Sequence, residues 1–198
     1  MIYLISAYSF AVAVLGGLAC GPPADSGGVD TPVTPPGDIV AGSWQRRQVT
    51  FNYFGITSLY TCDGLEDQVR RILLLLGARK DVTVYAGGCP GPYNAPSRMA
   101  WVKADFYTLA PAAGGSDTVK ARWTALEVTP RRPDFMGDGD CELIQGMKEL
   151  IIKNFSLRDI EYRTSCVPHE VSMDAYAVRG QALKAVTVNF NAVKDQLR

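Results

Sequence analysis

Five cysteines, at positions 20, 62, 89, 141 and 166, are the side chains of this 198-residue sequence with the clearest chemistry. Thiolates ligate metals or attack substrates, and thiols in an oxidising compartment close into disulfides. Zinc ligation asks for Cys-x-x-Cys or Cys/His spacing, which is absent, so disulfides are the expected use. The single His169 follows Pro168 and has no Gly-x-Ser-x-Gly or His-Glu-x-x-His frame around it. It reads as a loop histidine and not as a general base. Asp138-Gly139-Asp140, with Asp134 and Glu142 close by, gathers carboxylates, but the spacing misses the twelve-residue calcium loop. Acidity at a helix start explains that cluster more simply. Asp63, Glu66 and Asp105 would serve a hydrolase only if the fold assembled them. Gly87-Gly88 and Gly114-Gly115 lack the order of a phosphate-binding loop and read as turns. No catalytic residue, metal ligand or cofactor is assigned.

Twenty Lys plus Arg balance twenty Asp plus Glu. No global positive field exists to condense on nucleic acid, which is therefore not an expected partner. Arg46-Arg47, Arg70-Arg71 and Arg131-Arg132 would make a basic patch with Trp44, Trp101 and Trp123 only if the fold converged them. Solvated arginines and tryptophans on a core or sheet face are the simpler expectation.

The compartment is written at the start of the chain. Met1 to Ala19 carries no charged side chain and turns small and glycine-rich before Cys20, as a secretory signal does, although the usual basic residue near the start is missing. Gly17-Leu18-Ala19-Cys20 resembles a bacterial lipoprotein cleavage site, in which Cys20 becomes the lipidated first residue. An ordinary signal cut near Ala19, or an uncleaved anchor, are the alternatives. Residues 21–42 hold five Gly and five Pro with few large apolar side chains. The expectation is a disordered linker over 20–43, with the folded part starting near Trp44.

The elements that must position the remaining cysteines come in two copies. A shift of 78 residues lays Leu65, Val69, Ile72 and Leu73 on Leu143, Met147, Leu150 and Ile151, an i, i+4, i+7, i+8 helical stripe in both. The same shift lays Lys80-Asp81-Val82-Thr83-Val84 on Arg158-Asp159-Ile160-Glu161-Tyr162, the start of an alternating strand. Cys62 and Cys89 fall near Cys141 and Cys166 by the same offset, one before each helix and one after each strand. A strand returning antiparallel to its helix brings these ends together, which predicts Cys62–Cys89 and Cys141–Cys166. Asp63 and Glu66 read as a capping box for the first helix, Gly77 as its terminating residue, and the second helix should end near Asn154. Further strands are expected at Val49–Tyr53, Met99–Tyr107, Lys120–Val128 and Val171–Val178. The fold class is therefore α+β: duplicated β-α-β-β units over about 48–109 and 119–183, helices on one face of a largely antiparallel sheet, and two disulfides. Residues 185–198 are a final strand or a tail, the alternation of Val186, Val188 and Phe190 leaning towards strand.

The run FNYFGITSLYTCDGLEDQVRRILLLLGARKDVTVYAGGC from Phe51 to Cys89, with DCEL at Asp140–Leu143 and CVPH at Cys166–His169, resembles a family of exported bacterial proteins without a known activity. The resemblance spans roughly Val49 to Leu183 and implies envelope localisation. The expected function is an exported envelope lipoprotein, periplasmic or anchored at the outer membrane, that binds or helps assemble a protein partner, with exposed sheet edges suited to strand addition. The alternatives are a small-ligand or cell-wall glycan binder using Tyr53, Tyr60 or Tyr93, and a hydrolase. Non-reducing peptide mapping of protein purified from membranes is expected to show both cystines and a diacylglyceryl mass on Cys20. Free thiols with Met1 retained would contradict export and pairing together.

Overall fold

The computed structural model describes residues 39–90 and 95–186. The leader, Cys20, most of the linker, Tyr93 and the chain after 186 lie outside the described residues. The element order is β1 (Ile39–Phe54), α1 (Cys62–Leu75), β2 (Thr83–Gly87), β3 (Met99–Pro111), β4 (Val119–Val128), α2 (Cys141–Gly146), α3 (Lys148–Asn154), β5 (Leu157–Thr164) and β6 (Tyr176–Ala185). The strands form one sheet in the order β2-β3-β1-β4-β6-β5, with every neighbouring pair antiparallel. Read outwards from the centre, β1-β3-β2 repeats as β4-β6-β5. The two β-α-β-β units expected from the 78-residue offset thus meet through their first strands.

Alternation along the strands decides which face is covered. Val49, Phe51 and Tyr53 of β1 share a face with Ala104, Val102 and Ala100 of β3. These residues join one core with Leu65, Val69, Ile72 and Leu73 of α1 and with the apolar stripe of α2 and α3. Leu126, Val128 and Val178 bring the second half-sheet to the same core. Each fully buried aliphatic side chain of the helices contributes about 2 kcal/mol, and neither unit alone has enough of them. On the opposite face a small second cluster, Leu109, Ala121 and Leu183, forms around the β1/β4 joint.

Local chemistry departs from expectation in five places. Thr61, not Asp63, caps α1, its Oγ1 accepting from the Gly64 N–H at 3.0 Å. Glu66 instead reaches sideways to the Ala86 N–H of β2 at 2.8 Å. Residues 39–43, assigned above to the linker, open β1, because Ile39 to Gly42 pairs with β4. The last strand starts at Tyr176 and not at Val171, since Ser165 N–H donates to Ala175 O and closes 165–175 as a hairpin loop. The second helix ends at Asn154 as expected but is interrupted at Met147. Backbone bonds from Met147 to Leu143 and from Ile151 to Met147 carry its stripe across the break. Gly77 ends α1 with φ +103°.

Both cystines form as expected: Cys62–Cys89 with Cα atoms 5.9 Å apart and Cys141–Cys166 with 5.6 Å. Each ties the first residue of a helix to the chain just beyond its return strand. Loops of this size lose conformational entropy worth about 3 kcal/mol in the unfolded chain. On the far edge, β5 carries a bulge between Arg158 and Glu161, opposite Gly180 at φ +150°. A Cβ at Gly180 would lie 2.9 Å from both the Arg158 and Asp159 carbonyl oxygens. Gly180→Ala should therefore cost about 2 kcal/mol and lower the urea midpoint. An unchanged midpoint would mean that the bulge does not pack this way.

Candidate functional site

Two carboxylates from the start of the second unit hold the β1–α1 loop of the first. Glu142 accepts the Ile56 and Thr57 N–H groups at 2.9 and 3.0 Å. Asp140 accepts from Tyr60 Oη, from Gln68 Nε2 at 2.8 Å and from the Gly137 N–H at 2.7 Å. Tyr176 Oη donates to Gly137 O at 2.7 Å and closes the same network. Gly55 is required in the loop: a Cβ there would lie 2.1 Å from Ser58 O and 2.3 Å from Tyr53 Oη, the two atoms that hydrogen-bond each other. Of the carboxylates named as calcium candidates, Asp140 and Glu142 are thus engaged with protein donors, Asp138 pairs with Arg131, and Asp134 is exposed. Among the described residues no three His, Cys, Asp or Glu side chains gather as a metal set. Burial pushes the Asp140 carboxyl up to about 6, against the pull of the Gly137 N–H.

Around the loop these carboxylates fix, apolar side chains face solvent. Phe54 and Met99 are register partners at the end of the sheet, 58% and 63% exposed. Ile56 follows at 44%, and it lines one depression with Phe54, Cys166 and Pro168. Thr57 Oγ1 accepts from the His169 N–H, bringing the 165–175 loop and exposed Val167 against the same tip. The tip is therefore an apolar rim held in place by polar ties to Asp140 and Glu142, and exposed apolar patches rimmed by polar residues mark interaction sites.

From the tip the helix-free face of the sheet runs along β1 and β3. Asn52, Thr50, Gln48 and Arg46 stand opposite Trp101, Lys103, Asp105 and Tyr107. Asp105 receives Arg46 and Gln48, and these hydrogen bonds hold its carboxyl down at about 2. All three tryptophans fall on this face, half-exposed, each with a cation near its ring: Arg79 at Trp44, Lys103 at Trp101 and Arg158 at Trp123.

The residues named from the sequence are therefore dispersed. Asp105 and Glu66 lie on opposite sides of the sheet, and Asp63 is exposed at the start of α1, so no hydrolytic carboxylate pair forms. The arginine pairs do not converge: Arg131 pairs with Asp138, Arg132 with Glu127, and Arg70 and Arg71 stay on α1. Tyr53 is buried and Tyr60 is turned into the Asp140 network, so neither offers a ring to a ligand. Tyr85, Phe54 and Met99 were missed, although Phe54 shares its alternation with Asn52 and Thr50, and Met99 shares its own with Lys103 and Asp105. An apolar residue in the polar register of a strand is the signal that finds them.

No family model, curated protein or solved structure matches this chain. The Asp140 tie has a pH signature. With its carboxyl raised to about 6 in the fold against an ordinary value of 3.8, the folded state holds the extra proton between these values. Stability should fall by about 1 kcal/mol as pH rises from 5 to 7. Asp140→Asn should flatten that slope in urea titrations. A wild-type slope that survives the substitution would place the titrating group elsewhere.

Proposed function

We propose that this chain is an exported envelope lipoprotein, anchored through Cys20, that works as a binding or assembly module and not as an enzyme. The two disulfides support an oxidising, exported compartment, and no helix among the described residues is long and apolar enough to cross a membrane. The observation that carries the reading is the exposed rim of Phe54, Ile56, Met99 and Val167 gathered around the β1–α1 loop that Asp140 and Glu142 hold. Such a preformed apolar surface suits a protein partner, because little ordering entropy remains to be lost on docking.

Placement supports the same reading. Ile39 pairs with Arg122 and Ala185 pairs with Ala121, so both described chain ends leave from the β1/β4 joint. The rim lies at the other end of the 16-residue β1, up to about 50 Å away along an extended strand. The rim is thus well separated from both ends of the described chain, which leaves it free to meet another envelope protein.

Strand addition does not suit either edge. Glu66 occupies the outward N–H of Ala86 on β2, and the bulge at Asp159 and Ile160 interrupts β5. Contact is therefore through side chains at the rim. A photo-crosslinking amino acid placed at Phe54 or Met99 in cells at native expression should give one discrete adduct, and the same probe at Arg70 on the exposed side of α1 should give none. Absence of an adduct at both rim positions would remove the assembly role.

A further inference from the structure

Beside the rim, on the helix-free face, lies a groove of about 410 Å3 lined by Gln48, Thr50, Thr83, Tyr85, Lys103 and Asp105. Trp101 lies next to it, against the lining residues Tyr85 and Lys103. The indole lies so close on the backbone that a Cβ at Gly87 would be 2.4 Å from the ring, and glycine at 87 is what lets the ring lie down. Tyr85 stands beside it with ring centroids 5.4 Å apart, tilted by 52°. The Lys103 ammonium is 5.6 Å from the indole centroid. The acid in its own register, Asp105, is taken by Arg46 and Gln48, and among the described residues no carboxylate pairs with Lys103.

We propose that this groove binds a saccharide chain bearing carboxylate groups. A flat, half-exposed indole with a second ring beside it offers the aromatic surface on which the C–H face of a pyranose stacks. Gln48, Thr50 and Asn52 recur at alternate positions of β1, about 7 Å apart, and present amide and hydroxyl groups in a row. These match the repeating hydroxyls of a sugar chain. Among the described residues lining the groove, Lys103 is the charge without an opposite partner, and it selects an acidic sugar over a neutral one. A peptide fits less well, since it would seek a main-chain ladder at an edge and both edges are blunted. A lipid fits less well too, since the groove is open to solvent and carries the polar side chains of Gln48, Thr50, Thr83, Lys103 and Asp105. The site shares the face that the rim borders, but it goes beyond the assembly role and does not depend on it.

The test is calorimetric titration of the full chain in detergent with hexagalacturonate, and with cellohexaose as the neutral comparison. Hexagalacturonate should bind at least fivefold tighter. Trp101→Ala and Tyr85→Ala should each weaken both ligands by tenfold or more, and Lys103→Gln should erase the preference for the acidic chain. Tyr85 and Lys103 are solvent-facing, so these variants carry the test should Trp101→Ala unfold. Absence of binding at millimolar ligand, binding indifferent to Trp101 and Tyr85, or an acid preference that survives Lys103→Gln would each overturn the proposal. None of these results touches crosslinking at Phe54 or Met99, so the two ideas fail separately.

Discussion

The structure turns on the joint between β1 and β4. Four register pairs, Ile39–Arg122 to Gly42–Val119, make one sheet out of two half-sheets and let two small units share a single core. Gly42 permits the approach: a Cβ there would be 3.2 Å from Ala121 Cβ and from Leu109 Cδ2. Because β1 and β4 overlap only at their beginnings, each continues past the other, and the half-sheets extend in opposite directions. Burial of the helices against both halves then supplies what neither unit has alone.

Polar ties lock the arrangement at the other end of β1. Asp140 and Glu142 begin the helix of the second unit yet bind the loop of the first, so the ordering of that loop requires both units to be folded and docked. The Cys141–Cys166 disulfide sits beside these carboxylates and holds the 165–175 loop to them. Oxidation and surface presentation meet at this corner: the disulfide fixes the 165–175 loop, which sets Val167 beside the tip that carries Ile56.

Much of this was legible in the sequence because it was written twice. The paired offsets of cysteines, helical stripes and strands disclose the duplication and both disulfides, since each repeat constrains the reading of the other. The start of β1 was hidden by composition: Ile39 to Gly42 follows a Pro/Gly-rich run, and only pairing with β4 makes it a strand. Thr61 outcompeted Asp63 as the cap because the cap is fixed by where Cys62 must sit to reach Cys89, a tertiary constraint. Alternation separates two faces of a sheet, but it does not say which one the helices cover. Where the helices pack is what puts Tyr53 in the core and leaves Tyr85, Phe54 and Met99 on the open side.

The central claim is that the rim and the adjoining helix-free face are the working surface of an exported binding module. Hydrogen–deuterium exchange tests it directly, by comparing the purified chain with the same chain in intact envelope membranes. Protection should appear over 52–60 and 97–103 in the membranes, with α1 unchanged. Unchanged exchange in those two segments, with protection on α1 or β5 instead, would contradict the claim.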